Sequence, residues 1–276
     1  MNSEYTQQID GISCKLRKPF DFSFIEKYGT VFKVFDGQDS GNICFGVEKN
    51  GKRYFVKFAG APTAEYTHTI ESAIDRLKAA VPVYLDLMHP TLIHLVKAEE
   101  IGGGFAIVFD WADAVCAHRM YPNDHAKFKT ISLVDRIQIF DDILDFHVFA
   151  AGKGYTAVDF YDGSFMWDFT NKRTVICDID FYTKGKAYGN KALWGHMVRT
   201  ASPEERIDGI LIDEISNVWN MGAIAFVLFT NSDRSPETWP LSPKLYAVAM
   251  KAASDERSRR QQSIARLTNE WRTALG

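Results

Sequence analysis

Two acidic turns carry the side chains that are best suited to chemistry in this chain. Asp159 lies in a polar turn after an apolar helical stretch, and Asp178 and Asp180 follow a short apolar run further along. Carboxylates at neighbouring strand or loop ends can converge on one point, where one acts as a base and another binds a cation in phosphoryl transfer. Acidic turns are also common on protein surfaces, so the elements around them must decide between the two interpretations.

The sequence between the two turns predicts a β-hairpin. Residues 165–168 and 173–177 have the composition of short strands, and Thr170, Asn171 and Lys172 supply the turn between them. A hairpin in this place would bring the two acidic turns to adjacent strand ends.

An antiparallel meander near the N-terminus holds a second group of candidate residues. Its strand-like runs cover residues 30–35, 43–48 and 53–58. The first loop contains Gly37 and Gly41, and such a loop can place backbone N–H groups over phosphate oxygens, although it is more often an ordinary turn. Lys57 lies in an apolar strand end, where its ammonium group must reach an anion or water.

Four stretches have the helical spacing of apolar residues. The first covers residues 70–80, and Pro82 should kink or end that helix. The second covers residues 133–149. Residues 221–229 are apolar on every side and predict a deeply buried helix, and residues 245–275 predict an amphipathic helical tail.

The character of the sequence changes from strands to helices near residue 110. A buried strand over residues 105–109 runs into the polar segment 110–113. We therefore expect a hinge there, with one lobe over residues 1–110 and a second over residues 111–276.

The segment from Asp180 to Thr200 has little periodicity, which is typical of a loop. Tyr188, Leu193 and Trp194 are its large apolar residues, and we expect either their packing or a bound substrate to order it. The loop ends at residues 201–205, Ala-Ser-Pro-Glu-Glu.

Length and composition narrow the class of protein. The chain has 276 residues, 46% of them hydrophobic, and a formal net charge of −3, which permits a sizeable core and gives no global signal for nucleic-acid binding. Its four cysteines show neither metal-ligand spacing nor a disulfide framework. The longest apolar run is too short to span a membrane, and the N-terminus lacks signal-peptide features. We expect a soluble cytoplasmic protein with neither a nucleic-acid nor a membrane partner.

Taken in order, these pieces resemble the protein kinase-like superfamily, and in particular a divergent bacterial-type Ser/Thr protein kinase domain. The similarity extends over about residues 28–272. It implies an α+β, two-lobed protein kinase-like fold, with a small antiparallel β N-lobe that has one main helix and a larger, mostly helical C-lobe. It also implies that ATP and Mg²⁺ bind in the cleft between the lobes.

The resemblance assigns roles to the N-lobe candidates. Lys57 matches the strand lysine that engages nucleotide phosphates, and Gly37 and Gly41 lie in the position of the glycine loop. The residues that match the gatekeeper and hinge of the nucleotide site are Phe109, Asp110, Trp111 and Ala112.

In the C-lobe the resemblance assigns roles to the acidic turns. Asp159 matches the catalytic aspartate, which orients the acceptor hydroxyl and accepts its proton. Asp180 matches the metal-binding aspartate, with Asp178 as the alternative, and the length of the following segment favours Asp180. Ser164 lies in the position of the second metal-binding residue.

Two further matches concern structure. Arg260, in the helical tail, matches an arginine that forms a buried ion pair with the glutamate of a Pro-Glu motif, here Glu204. Asn217 lies where an aspartate of the buried helix usually braces the catalytic loop.

The catalytic loop departs from the family pattern in several places. Ala157 and Val158 replace the His-Arg pair before the catalytic aspartate, and Tyr161 replaces the lysine after it. Ser164 replaces the second metal-binding asparagine. A hydroxyl can ligate Mg²⁺, and Asp162 could take over that role.

Two other departures fall in the N-lobe. Phe55 replaces the small residue over adenine and would narrow the purine pocket. Ala80 lies where the helix glutamate that pairs with the strand lysine is expected. Glu71 or Asp75 would substitute for that glutamate only if a kink at Pro82 shifts the register of the helix.

The expected activity is ATP-dependent transfer of the γ-phosphate to a hydroxyl group of a protein or a small molecule. The intact Pro-Glu segment, buried helix and late arginine favour a Ser/Thr protein kinase, whereas the altered catalytic loop favours a small-molecule kinase of the same superfamily. The changes at Ser164, Ala80 and Phe55 favour a catalytically weak pseudokinase that acts as a nucleotide-binding or scaffold module.

Overall fold

The computed structural model describes residues 5–190 and 199–276, and it combines α-helices with antiparallel β-sheets. Of the three apolar residues expected to order the loop, Leu193 and Trp194 lie outside the described residues, and Tyr188 is exposed and not packed. No helix in the described part of the chain is long and apolar enough to cross a membrane. Residue contacts divide the chain into two compact units, which are Met1–Met88 with Ile93–Ala112 and His89–Leu92 with Asp113–Gly276.

A short hairpin begins the first unit. It pairs β1 (Tyr5–Ile9) with β2 (Ile12–Leu16) through Asp10 and Gly11, whose backbones are left-handed with φ of 50° and 80°. Asp-Gly is the residue pair that a two-residue type I′ turn favours. The Asp10 carboxylate also accepts the backbone N–H of Val31 at 2.7 Å, which ties the hairpin to the next strand. This hairpin was not predicted, although Asp-Gly is a strong turn signal.

A five-stranded antiparallel sheet forms the centre of the first unit, in the strand order β3-β4-β5-β7-β6. Asn50 and Gly51 connect the second and third strands with φ of 54° and 73°, again the geometry of a type I′ turn. The predicted meander and the buried strand after it are confirmed. The strands are β3 (Thr30–Phe35), β4 (Asn42–Lys49), β5 (Lys52–Ala59), β6 (Leu95–Ile101) and β7 (Gly104–Asp110).

The N-terminal segment packs against the buried side chains of this sheet. Phe45, Val56 and Phe58 are almost fully buried and form one cluster with Leu16 and Phe22. Burial of each such side chain contributes roughly 1.5–3 kcal/mol. This cluster therefore holds the hairpin, the connecting segment and the sheet together.

Helix α1 (Ile70–Asp86) connects β5 to β6, and the Tyr84 ring lies 4.8 Å from the Phe109 ring of β7. The helix continues through Pro82, so the expectation that this proline ends it is wrong. Proline removes one backbone hydrogen bond and crowds the preceding turn. Val83 and Tyr84, both buried just beyond it, offset that cost by packing the last turn into the core.

The second unit is mostly helical, with small antiparallel sheets. Its helices are α2 (Pro122–Phe128), α3 (Leu133–Gly152), α4 (Glu214–Thr230), α5 (Pro243–Ala252) and α6 (Ile264–Leu275). Its strands are β8 (Val115–Cys116), β9 (Tyr155–Thr156), β10 (Phe165–Asp168), β11 (Arg173–Ile176), β12 (Thr183–Lys184), β13 (Ala187–Tyr188) and β14 (Leu211–Ile212). They pair in the orders β11-β10-β8, β12-β9 and β13-β14. The strands β10 and β11 form the predicted hairpin, which is confirmed.

Helix α4 is the buried centre of the second unit. A capping box begins it: the Asp213 carboxylate accepts the N–H groups of Ile215 and Ser216, and the Ser216 hydroxyl accepts the N–H of Asp213. Its residues are buried on nearly every side, which confirms the predicted buried helix. At its other end Phe229 stacks on Trp271 of α6, with the ring centroids 5.9 Å apart.

The C-terminal tail is not one continuous amphipathic stretch. Residues 253–263 separate α5 from α6 and include a short 3₁₀ turn at Arg257–Arg259. Arg260 follows that turn with an extended backbone (φ −66°, ψ 161°), so its expected place in a helix is wrong. The extended backbone lets the side chain enter the core, where Nε donates to the Ser254 carbonyl at 2.7 Å.

The predicted ion pair between Arg260 and Glu204 is confirmed. Arg260 Nη2 lies 3.0 Å from Glu204 Oε1, Nη1 donates to Oε2 at 3.1 Å, and both side chains are buried. Burial opposes ionisation of Glu204, but Arg260 outweighs it and the pKa of this carboxyl is lowered. Arg257 lies 3.4 Å from the same carboxylate. The pair thus joins the segment before α6 to the segment before α4.

We expect Arg260→Ala to lower the free energy of unfolding by roughly 3–5 kcal/mol, because it leaves a buried carboxylate without its main partner. The second contact from Arg257 should keep the loss near the lower end of that range. Urea unfolding of both proteins measures it. Arg259→Ala removes an exposed arginine of the same turn and should change stability by no more than about 0.5 kcal/mol. Equal stability of Arg260→Ala and wild type would contradict this role for the pair.

Candidate functional site

The turn that carries Asp159 has an uncommon backbone conformation. Asp159 has a left-handed φ of 64° between the buried residues Val158 and Phe160. This conformation costs a non-glycine residue roughly 1–2 kcal/mol. Aspartate tolerates it better than most residues do, and contacts with the surroundings can hold it in place. Two buried side chains from elsewhere in the second unit contact this turn, Asn217 and Glu205.

Asn217, on the first turns of α4, holds the residue two positions before Asp159. Its Oδ1 accepts the backbone N–H of Ala157 at 2.9 Å, and its Nδ2 donates to the Ala157 carbonyl at 2.5 Å. The same Nδ2 donates to Oδ1 of Asn220 at 3.3 Å. A carboxylate could make only the first of these bonds, because it has no donor. The asparagine therefore braces the loop through both main-chain groups of Ala157.

Glu205 holds the backbone of Asp159 itself. Its Oε1 accepts the Asp159 N–H at 3.4 Å, while its Oε2 accepts from the Ser202 N–H at 2.5 Å and from Asn220 Nδ2 at 2.7 Å. Burial raises the pKa of this carboxyl, although its hydrogen bonds oppose the rise. Glu205 was not predicted, because nothing in a run of two glutamates distinguishes the buried brace from the ion-pair member Glu204.

Asp178 is the second acid that the structure places beside this turn. Its backbone is also left-handed, with φ of 54°, and its Oδ2 accepts a hydrogen bond from the Tyr161 hydroxyl at 3.3 Å. Burial first, and then the charges of Asp178 and Asp159, raise the pKa of Tyr161 well above its usual value. Burial first, and then the charges of Asp159, Glu205 and Asp178, raise the pKa of Tyr182 well above its usual value. Asp159 and Asp178 therefore share one neighbourhood.

Tyr182 anchors the end of the second acidic turn to α3. Its hydroxyl donates to Nε2 of His147 at 2.7 Å, and Nδ1 of His147 donates to the Ile143 carbonyl at 2.7 Å. Burial lowers the pKa of His147 to about 4, so the imidazole is neutral near pH 7. These contacts make His147 a structural residue that fixes the turn through the tyrosine.

Ser164 and Asp162 are tied to other protein groups. Ser164 is fully buried, and its hydroxyl accepts the backbone N–H of Tyr161 at 3.3 Å. The Asp162 carboxylate forms an ion pair with Arg199 at 3.2 Å and lies 3.8 Å from Nε2 of His118. Because Asp162 already has a cationic partner, the expectation that it replaces Ser164 as a metal ligand is not supported.

The carboxylates near Tyr161 suit a metal ion that arrives already bound to a nucleotide. Across residues 5–190 and 199–276, no group of three or more His, Cys, Asp and Glu side chains could hold a metal by itself. Mg²⁺ in nucleotide enzymes needs only one or two carboxylates, because water and phosphate oxygens complete its shell. Asp159 and Asp178, both close to Tyr161, satisfy that smaller requirement.

Lys57 lies on β5, a central strand of the first unit's sheet. Its register neighbours are Cys44 on β4 and Ile107 on β7, and it is only 8% exposed. Since β5 is paired on both sides, Lys57 does not extend from a strand edge into water. A buried ammonium requires anionic or hydrogen-bonding groups around it. Its position is therefore better suited to an anion such as a phosphate than to a surface role.

Gly37 and Gly41 meet different constraints in the first loop of the meander. Gly41 has φ of 78°, and a Cβ there would approach within 2.7 Å of the Tyr66 ring and 2.8 Å of the Ala73 side chain. Glycine at this position lets the loop pack against α1. A Cβ on Gly37 would meet nothing within 4 Å, so Gly37 lies in the open part of the loop.

The acids of α1 are not placed as expected for partners of the strand lysine. Ala80 is fully buried, whereas Glu71 and Asp75 are exposed. The helix runs unbroken through Pro82, so the shift of register that either acid would need does not occur. The structure thus gives no support for an α1 carboxylate as the partner of Lys57.

The end of β7 is fixed by charged and aromatic contacts. The Asp110 carboxylate contacts Lys52 at 3.0 Å and His94 at 2.8 Å. The Trp111 ring packs edge-on against Phe32 of β3, 4.9 Å away. Four residues here are predicted to bind a nucleotide. They lie at the end of β7 and in the segment that follows it, and they are Phe109, Asp110, Trp111 and Ala112.

Phe55 takes part in an aromatic row across the sheet. It pairs with Phe109 in the β5–β7 register, and its ring lies 6.4 Å from Phe109 and 5.6 Å from Phe35 of β3. A small residue at this position would leave the row open. The narrowing of a purine pocket by Phe55 stays a prediction.

Comparison with known proteins adds no assignment. No protein-family model and no curated protein matches this chain. The function must therefore be argued from the residues and contacts described above.

We expect Asn217→Asp to lower the free energy of unfolding by roughly 1–3 kcal/mol near pH 7, because a carboxylate oxygen would face the Ala157 carbonyl without a donor. Urea unfolding measures the loss. The control is Asn50→Asp in the exposed β4–β5 turn, where both residue types are favoured and stability should be unchanged. A stable Asn217→Asp variant would mean that a carboxylate fits this brace equally well.

Proposed function

We propose that this protein is an ATP-dependent phosphotransferase with the two-lobed fold of the protein kinase-like superfamily. Its favoured activity is that of a divergent Ser/Thr protein kinase, which transfers the γ-phosphate of ATP to a hydroxyl of another protein. The observation that carries the proposal is the hydrogen bond from the Tyr161 hydroxyl to Asp178, which joins the second acidic turn to the turn of Asp159. The element order of the two units agrees with this fold.

The two aspartates receive different roles in the proposed reaction. Asp159 orients the acceptor hydroxyl and accepts its proton as the phosphoryl group is transferred. Asp178 holds Mg²⁺, which neutralises charge on the phosphate oxygens when it is bound. We favour Asp178 over Asp180 because Asp178 contacts Tyr161 and shares the neighbourhood of Asp159. Asp178 thereby takes the role that spacing alone gives to Asp180.

The first unit contributes the nucleotide contacts of the proposed enzyme. Lys57 binds phosphate oxygens of ATP, and its burial strengthens that interaction relative to one in water. The open loop around Gly37 offers backbone N–H groups to the same phosphates. The end of β7, with Phe109 and Asp110, lies beside the adenine.

A nucleotide-binding pseudokinase is the second candidate, and two observations favour it. Phe55 packs in an aromatic row where the family has a small residue, and the Ser164 hydroxyl is buried against the backbone of Tyr161. These features would weaken purine binding and remove the second metal ligand. A small-molecule kinase differs from the favoured function only in the acceptor that carries the hydroxyl.

We expect a saturating Mg-ATP analogue to stabilise the protein by more than about 1 kcal/mol, because a ligand that binds only the native state adds to its stability. Lys57→Met should remove most of this gain in a thermal unfolding measurement. Lys49→Met, at the exposed end of β4, should keep it. A wild type that shows no gain at millimolar nucleotide would support a scaffold without ATP.

We expect Asp159→Asn and Asp178→Asn to lower turnover by about 100-fold or more, the usual range for loss of an acid–base or metal-binding group. The measurement uses γ-labelled ATP with Mg²⁺ or Mn²⁺ and follows both autophosphorylation and hydrolysis. Asp180→Asn should lose less than about tenfold, since Asp178 and not Asp180 holds the metal in this proposal. A larger loss of turnover in Asp180→Asn than in Asp178→Asn would assign the metal to Asp180.

A further inference from the structure

Glu205 is a buried carboxylate that connects three parts of the second unit. It is 1% exposed. Its Oε2 accepts from the Ser202 N–H and from Asn220 Nδ2 of α4, and its Oε1 accepts from the Asp159 N–H. The bond to Asp159, at 3.4 Å, is the longest of the three. It therefore depends on Ser202 and Asn220 to hold the carboxylate in place.

The charge of Glu205 is not explained by stability. Glu204, the preceding residue, has Arg260 and Arg257 as ion-pair partners. In the described part of the chain Glu205 has no such ion pair, and its bonds come from neutral N–H groups. Burial therefore raises its pKa despite these bonds. The titratable groups around it are Asp159, whose N–H it accepts, and Tyr182.

We infer that Glu205 is a positioning residue for phosphoryl transfer: its carboxylate fixes the backbone N–H of Asp159 and thereby directs the Asp159 side chain. The inference rests on the proposed function. Asp159 has a left-handed backbone, and a bond to its N–H removes the freedom to relax to the more stable right-handed or extended forms. An ionised acceptor forms a stronger bond to an amide than a neutral one does.

The chemistry of the three donors explains why the residue is a glutamate and not a glutamine. A carboxylate can accept on both oxygens at once, whereas an amide has one acceptor oxygen and one NH₂ group. Glutamine could serve Ser202 and Asn220, but its NH₂ would then face the Asp159 N–H. Asn220 cannot flip to help, because its Nδ2 also donates to the Thr200 carbonyl at 2.7 Å and its Oδ1 accepts from Asn217.

Glu205→Gln tests this inference, because it keeps the shape of the side chain and removes the acceptor for Asp159. We expect kcat for ATP turnover to fall about tenfold or more, with KM for ATP within about threefold of wild type, since nucleotide binding does not use this residue. We expect the melting temperature to stay within about 3 °C of wild type or to rise. If Glu205 were purely structural, Glu205→Gln would lower stability and activity together.

The pH dependence of stability supplies a second readout. A carboxyl with a raised pKa binds its proton more tightly in the native state than in the unfolded state, so native stability falls as pH rises through that pKa. Glutamine does not ionise. The melting temperature of Glu205→Gln relative to wild type should therefore be higher at pH 8 than at pH 5.

Glu204→Gln is the matched control, one residue away. It strands Arg260, so it should lower the melting temperature clearly, in contrast to Glu205→Gln. Glu237→Gln changes an exposed glutamate and should alter neither kcat nor stability.

Asn220→Ala removes one of the groups that hold Glu205, and it should lower kcat by less than Glu205→Gln does. The double variant of Asn220 and Glu205 should lose no more than Glu205→Gln alone, because both act through one bond.

The possible outcomes separate this inference from the proposed function. If the wild type turns over ATP and Glu205→Gln does so at the same rate, the positioning role is wrong and the proposed function stands. If kcat and the melting temperature of Glu205→Gln fall together, Glu205 is structural only. If the wild type turns over no ATP, the proposed function fails and the positioning role fails with it.

Discussion

The need to satisfy buried polar groups governs the arrangement of the second unit. The Asp159 turn presents main-chain groups to the core, where an unpaired N–H or carbonyl costs roughly 1–3 kcal/mol. Asn217 bonds both main-chain groups of Ala157, and Glu205 accepts the N–H of Asp159. Neither the turn nor these side chains could move alone without leaving a buried group unpaired. The turn and α4 are therefore parts of one structure.

Helix α4 serves the core and the candidate site with different residues. Its first turns carry Asn217 and Asn220, which belong to the polar network, and its far end carries Phe229 against Trp271. The Glu204–Arg260 ion pair lies next to this network in the sequence and joins the start of α4 to the segment before α6. Of the two adjacent glutamates, Glu204 thus stabilises the fold and Glu205 positions Asp159.

Much of this fold could be predicted because its signals are local. Strand-like runs separated by turn residues predicted the meander, and an all-apolar stretch predicted α4. The sequence did not reveal that the helix continues beyond Pro82, because this depends on the burial of Val83 and Tyr84. The left-handed backbone of Asp178 also lay beyond sequence, since spacing does not reveal which residue of the turn adopts it. The role of Glu205 required knowledge of its burial and of donors distant in the chain.

The electrostatics of the second unit place several negative charges around one buried hydroxyl. The charges of Asp159, Asp178 and Glu205 all raise the pKa of Tyr182, so three carboxylates lie within range of one buried hydroxyl. Like charges held close together raise the energy of the folded state, and the effect grows in a buried site where water screens less. The covalent and hydrogen-bonded frame keeps them there. A bound divalent cation would lower that energy, which is the physical basis of the metal site proposed above.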